Sequence, residues 1–156
     1  MATELALRKA QTSDSELLFA WANDPVVRQN SFRQAAISWE EHQQWLAGKL
    51  DTPDCKFFIL LIRETPAGTL RFDRSDANQW TIGIALATHY RGKGLAGPFI
   101  VLGCQALASE FPGAQVVAYI KQRNSASLKG FEAAGFVRLA DCSVSDEPCF
   151  FLQRYV

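Results

Sequence analysis

The sequence predicts an α+β fold: one central mixed, mostly antiparallel sheet of about seven strands, flanked by about four helices. Two observations carry this. The hydrophobic period changes along the chain from helical spacing to strand-like runs and back, giving the order β-α-α-β-β-β-α-β-α-β-β. Three of the runs follow one another across short turns, which makes them an antiparallel meander. The 156 residues, 48% of them hydrophobic, fill the core of one domain, residues 1–156, with no repeat or linker-like shift in composition.

"ELALRKA" (4–10) alternates and reads as the first strand. "TSDSELLFAWAND" reads as a helix, with Thr12 or Ser13 as cap and Leu17, Leu18 and Trp21 as its apolar face. Pro25 breaks it within "DPVVRQNSF" (24–32). "SWEEHQQWLAGKL" (38–50) is the second helix; Ser38 stands three residues before Glu41, a capping-box pattern. Trp39, His42, Trp45 and Leu46 share one of its faces. The strands 55–64, 68–76 and 79–87 follow, with turns expected at Pro66-Ala67-Gly68 and Asp76-Ala77-Asn78. Residues 95–111 form an apolar helix ended by Pro112-Gly113, and 114–121 a buried strand. A short helix over 125–136 closes with Gly135 at C′. "FVRLADC" and "CFFLQRYV" end the chain as a hairpin.

Composition narrows the function classes. Sixteen basic and 16 acidic residues cancel, so neither nucleic acid nor a membrane surface is an expected partner. No apolar run reaches the roughly 18 residues of a membrane span, and the N-terminus lacks a signal-peptide pattern. Cys55, Cys104, Cys142 and Cys149 form no C-x-x-C pair, and His42 and His89 no H-x-x-x-H pair, so no metal site is expected. The expectation is a cytoplasmic protein with reduced thiols.

The chemistry concentrates in "YRGKGLAGP" (90–98). Gly92, Gly94 and Gly97 satisfy G-x-G-x-x-G between a strand and a helix. A dinucleotide site would need an acidic residue ending the next strand, which instead ends in Lys121. A phosphate loop would need Ser or Thr after Lys93, where Gly94 stands. The pattern [Q/R]-x-x-G-x-[G/A], with Arg91, Gly94 and Ala96, fits throughout. Downstream, "NSASLKGFEAAGF" fits N-x-x-[A/S]-x-x-x-[Y/F]-x-x-x-G-F at Asn124, Ser127, Phe131, Gly135 and Phe136. With these two motifs in order, the chain resembles the GNAT superfamily of acyl-CoA-dependent N-acetyltransferases over nearly its whole length.

The resemblance implies a GNAT fold with a splayed pair of strands and acetyl-CoA as cosubstrate. Its pyrophosphate would meet Arg91, Gly92, Lys93, Gly94, Leu95 and Ala96, and its pantetheine arm the strand at Ile84, Ala85 and Leu86. Asn124, Ser127 and Phe131 would complete the cofactor side. Physics agrees: the first amides of a helix lack internal partners, the macrodipole adds positive charge, and glycine lets phosphate approach the backbone. Pro98, in the first turn, removes an amide that has no intrahelical acceptor.

"WANDPVVRQNSF", "ISWEEHQQWL" and "GTLRFDR" are similar to one branch, the amino-sugar nucleotide N-acetyltransferases of the pseudaminic-acid type. That likeness implies a small-molecule nucleotide-sugar substrate, a UDP-linked dideoxy amino sugar, at Arg28, Asn30, Ser31, Phe32, His42, Arg71 and Asp73. Residue type alone leaves alternatives open: Trp39, Trp45 and His42 could be packing, Arg28 a solvated charge, and Arg71 with Asp73 an ion pair. Other relatives acetylate protein N-termini, and a non-catalytic acyl-CoA-binding domain is a further alternative. The implied reaction is direct attack of a neutral amine on the thioester. The family's usual proton donor is a Tyr at the position of Phe131, which has no proton to give. Tyr119, Ser127 or water replaces it as acid, with Asp73 or His42 as base. No cysteine context points to a covalent acetyl-enzyme. The oligomeric state is open, homodimers being common in such enzymes.

Overall fold

A computed structural model describes residues 4–156. Seven strands form one sheet in the order β1-β2-β3-β4-β5-β7-β6. These are β1 (Leu5–Lys9), β2 (Cys55–Ile62), β3 (Thr65–Asp76), β4 (Gln79–Leu86), β5 (Gln115–Lys121), β6 (Val137–Val144) and β7 (Glu147–Tyr155). Every neighbouring pair is antiparallel except β4 and β5. Among the described residues five α-helices accompany them: α1 (Ser15–Ala22), α2 (Pro25–Asn30), α3 (Trp39–Leu50), α4 (Ala96–Glu110) and α5 (Ser125–Ala133). This is the expected α+β architecture with one more helix.

Strand alternation sorts the side chains into two cores. On one face Leu60, Leu70, Phe72 and Trp80 meet Phe99, Ile100 and Leu107 of α4 and Phe131 of α5. On the other, Cys55, Phe57 and Ile59 meet Leu18 of α1 and Leu46 of α3. The glycines Gly97 and Gly130 let α4 and α5 approach: a Cβ on Gly130 would lie 2.9 Å from the Ala96 Cβ.

Three local expectations are corrected. Residues 25–30 do not merely break a helix: Asp24 caps a new one, accepting from the Val26 amide at 2.9 Å, with Pro25 at its first turn. The cap ahead of α1 is neither Thr12 nor Ser13. The buried Asp14 carboxylate accepts from the Gln11 amide at 2.8 Å and from both Arg8 Nη atoms at 2.8 and 2.9 Å. The β2–β3 turn lies at Arg63-Glu64, both at positive φ, not at Pro66-Ala67-Gly68. Pro66 and Gly68 instead belong to β3 beside a register shift, and a Cβ on Gly68 would collide with the Ala85 carbonyl of β4.

The thiols also differ from expectation. Cys142 and Cys149 face each other across β6 and β7, Cα atoms 5.0 Å apart, and are joined by a disulfide. Their spacing of seven residues becomes a direct cross-strand pair because the hairpin turns at Ser145-Asp146. Cys55 and Cys104 are free, buried thiols. Burial pushes each up to about 11, which suits neither for nucleophilic attack.

Candidate active site

The parallel pair β4–β5 is joined only over Gln79–Thr81 and Gln115–Val117. Beyond Thr81 the edge of β4 facing β5 carries no ladder, so Ile84, Ala85 and Leu86 stand at an opening in the sheet. This is the splay that the sequence implied.

The chain leaves β4 through a short 3-10 turn at Thr88–Tyr90 and enters α4. Between them Gly92 and Gly94 both adopt φ near 72°, and a Cβ at either would meet open space. The backbone amides of residues 92–97 donate to no acceptor among the described residues. Six consecutive open donors at the N-terminus of a 15-residue helix are a ready anion cradle. Lys93 is exposed beside them. Gly97 faces inward, against the Gly130 carbonyl and Ala133 of α5, so its task is helix packing.

Arg91 is committed elsewhere. Its Nε donates to the Leu86 carbonyl at 3.0 Å, Nη1 to the Thr88 hydroxyl at 3.3 Å, and Nη2 lies 3.2 Å from Asp24. It braces the loop against β4 and α2. Asn124, also expected on the cofactor side, caps α5 by accepting from the Ser127 amide at 3.3 Å. Phe131 is buried edge-on against Phe136 at 5.0 Å.

On the opposite side of β4 lies a cavity of about 460 Å³. Its floor is the sheet: Phe57 of β2, Thr69 and Arg71 of β3, and Gly83, Ile84 and Ala85 of β4. Register explains the grouping, since Phe57, Arg71 and Gly83 stand opposite one another across three strands. A Cβ on Gly83 would have no heavy atom within 4 Å, so its absence of side chain keeps the floor open. The walls come from α1 (Leu18, Trp21, Ala22), α2 (Val27, Arg28), the connecting segment (Ser31, Arg33, Ile37) and α3 (Glu41, His42, Trp45).

The expected acceptor residues are thus partly gathered. Arg28, Ser31, His42 and Arg71 line the cavity; Asn30, Phe32 and Asp73 do not. Arg28 is structural as well: it donates to the carbonyls of Ala22 at 2.7 Å and Arg33 at 2.8 Å and to the Ser31 hydroxyl at 3.2 Å. Burial lowers its pKa. His42 is buried among Phe19, Trp39 and Trp45, and its Nε2 lies 3.0 Å from the Ser15 carbonyl. That nitrogen therefore carries the hydrogen and is not a free base. Asp73 accepts from Lys49 Nζ at 2.7 Å and Arg71 Nε at 2.8 Å, one cation per oxygen. Burial raises its pKa, but Arg71 and Lys49 outweigh that and hold it below the usual carboxylate range. It anchors Arg71 rather than accepting a substrate proton.

Among the described residues Arg71 has no acceptor for its two Nη atoms, its guanidinium lying 4.8 Å over the Trp45 ring and 5.6 Å from that of Phe57. Glu41, the one carboxylate among the described residues that line the cavity, pairs with Arg33 at 2.9 Å. Tyr119 stands two residues past the last β4-paired residue of β5, on the cavity face of the sheet, half exposed and 5.3 Å from the Phe151 ring. Ser127 is half-buried in the first turn of α5.

Sequence reasoning missed Trp21 and Ile37 in the walls, Thr69 and Gly83 in the floor, and Asn23 as a pin. The Asn23 amide exchanges hydrogen bonds of 2.9 and 2.8 Å with the Ile37 backbone, which holds the connecting segment over the cavity. Its place just past α1, as a C-cap, was the available signal.

Residues 4–137 match the model of the acetyltransferase (GNAT) domain family. The chain belongs to that family. The GNAT fold extends to solved structures: an aminoglycoside acetyltransferase in complex with coenzyme A (TM-score 0.84, 17% identity, covering 97% of this chain and 95% of that one). A spermidine N-acetyltransferase from Vibrio cholerae, with CoA and spermine, superposes with TM-score 0.88 at 14% identity, covering 97% and 95%. In sequence, an uncharacterized protein of Methanocaldococcus jannaschii is 26% identical over 86% of this chain and 28% of its own length. A mycothiol acetyltransferase of Corynebacterium aurimucosum is 34% identical over 42% of this chain and 19% of its own. The GNAT domain here therefore spans less than a third of the length of these two relatives.

Proposed function

We propose that this GNAT domain transfers an acetyl group from acetyl-CoA to an amine of an anionic acceptor, of the UDP-linked dideoxy amino-sugar class. The observation that carries the acceptor reading is the charge of the cavity. Arg28, Arg33 and Arg71 line it against the single carboxylate of Glu41, which is already paired. With Arg33 and Glu41 neutralising each other, a polycation such as spermine or kanamycin would still bring ammonium groups against the guanidinium groups of Arg28 and Arg71, at a Coulombic cost. A diphosphate or uracil carbonyl instead finds the two open Nη atoms of Arg71, and a uracil ring finds Trp45 and Trp21 to pack on.

The residues fit the cosubstrate. Acetyl-CoA supplies the acyl thioester; its pyrophosphate suits the open amides of residues 92–97, with Lys93 adding charge. The unladdered edge of Ile84, Ala85 and Leu86 offers backbone groups to an extended arm. Arg71, fixed by Asp73, orients the acceptor. Phe131 has no proton to give, and Tyr119, whose hydroxyl donates to no protein group among the described residues, is the proton donor of this reading.

The test is thiol release from acetyl-CoA with four acceptors offered separately: a UDP-4-amino-4,6-dideoxy sugar, kanamycin, spermine and a peptide with a free N-terminus. Turnover with the nucleotide sugar alone is expected. Turnover with spermine or kanamycin at equal or greater kcat/KM overturns the anionic-acceptor reading and leaves the acetyltransferase reading standing.

A further inference from the structure

We propose that Asp24 is a positioning residue that couples the cofactor loop to the wall of the acceptor cavity, so that occupancy of one orders the other. The proposal rests on the reading of residues 92–97 as the site for the cosubstrate's phosphates.

One carboxylate serves two distant segments. Toward α2, Asp24 Oδ1 accepts from the amides of Val26 at 2.9 Å and Val27 at 3.4 Å. Toward the loop, Oδ2 accepts from the Thr88 hydroxyl at 2.9 Å, and Oδ1 lies 3.2 Å from Arg91 Nη2. Thr88 is 64 residues away in sequence. Arg91 in turn grips the Leu86 carbonyl at the end of β4, directly before the open amides.

The other end of the link is weakly held. None of the six residues of α2 is buried, so no apolar core fixes its place. Its position depends on polar anchors: Asp24 at its start, Arg28 within it, and Lys121 Nζ, which donates to the Gln29 carbonyl at 2.9 Å. Yet α2 supplies Val27 and Arg28 to the cavity. An anion that fixes the loop also fixes Thr88 and Arg91, and through Asp24 it fixes the first turn of α2. By linkage, an acceptor that orders this wall tightens the cosubstrate in equal measure.

Hydrogen–deuterium exchange, with and without coenzyme A, tests this on the wild type, Thr88→Val, Thr88→Ser and Asp24→Asn. Asn keeps the helix cap but loses the charge opposite Arg91. In the wild type and Thr88→Ser, coenzyme A is expected to slow exchange in both 88–97 and 25–37. In Thr88→Val and Asp24→Asn the protection of 25–37 is lost, while the Kd for coenzyme A weakens by only about fivefold, the lower end of a typical coupling. A merely structural Asp24 would raise exchange of 25–37 equally with and without coenzyme A, and that result overturns the proposal. So does wild-type protection confined to 88–97. If coenzyme A protects neither segment, the reading of the loop fails together with the coupling.

Discussion

The cofactor loop and the acceptor cavity lie on either side of β4 but are built by different means. The loop works through backbone: two glycines at positive φ and a helix N-terminus whose first amides have no partner among the described residues. The cavity works through side chains from α1, α2, α3, β2, β3 and β4, converging because strand register and helix packing bring them there. A backbone site is compact in sequence and tolerates change in side chains that contain no special conformation. A side-chain site is dispersed, and its charge, not its shape alone, selects the ligand. Damage to either should fall mainly on its own substrate in kinetics, with only the coupling through Asp24 carried to the other.

The largest separation is expected from Arg71→Met. It removes the open guanidinium and leaves Asp73 with Lys49 as its partner. Acceptor kcat/KM should fall roughly 10- to 150-fold, the size of a charged hydrogen bond of about 1.5–3 kcal/mol, while the KM for acetyl-CoA stays within twofold or so. Equal loss for both substrates would show that Arg71 serves the cofactor site as well as the cavity.

Gly94→Val breaks the other side. A β-branched residue at φ near 72° is strained by roughly 1–2 kcal/mol, so the loop leaves its conformation. The KM for acetyl-CoA should rise about tenfold, with acceptor KM little changed, as read from steady-state kinetics at saturating partner. Gly83→Val sharpens the contrast from the cavity floor. The new Cβ would have no heavy atom within 4 Å and the position is exposed, so thermal melting should hold within a few degrees. Acceptor KM should nevertheless rise about fivefold, since the added methyls occupy ligand space. A lowered melting temperature with unchanged KM would remove Gly83 from the floor.

The smallest effect on catalysis is expected from Asp14→Asn, which lies in neither site. The Arg8 hydrogen bonds, opposed by burial and aided by the Gln11 amide, hold the Asp14 carboxyl below the ordinary Asp value of 3.8. A depressed carboxylate contributes its stability above the unfolded value and loses it as pH falls through the folded one. Wild-type unfolding free energy should therefore drop below pH about 4, and the variant should show a shallower acid slope. At neutral pH the loss is about 1–3 kcal/mol in urea titration, for a buried, charge-assisted pair, with both KM values unmoved.

The legibility of the sequence followed the same division. The strands of the meander, α4, β5 and the Gly135 stop of α5 were readable because period and cap chemistry are local. The turn at Arg63-Glu64 was not, since neither residue carries the glycine or asparagine that usually marks positive φ. Helix α2 was hidden by a proline whose place at the first turn depends on the Asp24 cap. Arg91 matched a motif position, yet its head turned to Asp24 and Leu86, partners no local pattern reveals. Gly83 reads as an ordinary strand glycine until Phe57 and Arg71 stand beside it in register.

By itself the sequence determined the element types, the glycine-opened helix N-terminus and the family motifs, because each depends on residues a few positions apart. Tertiary structure alone decided which charges are spent and which are open. Arg91, His42 and Asp73 each bind a neighbour distant in sequence and Arg28 is held by folded-back carbonyls of its own segment, while Arg71 keeps two donors facing a cavity. The reason is physical: a hydrogen bond depends on where its partner lies in space, and only the packed sheet and helices fix that place.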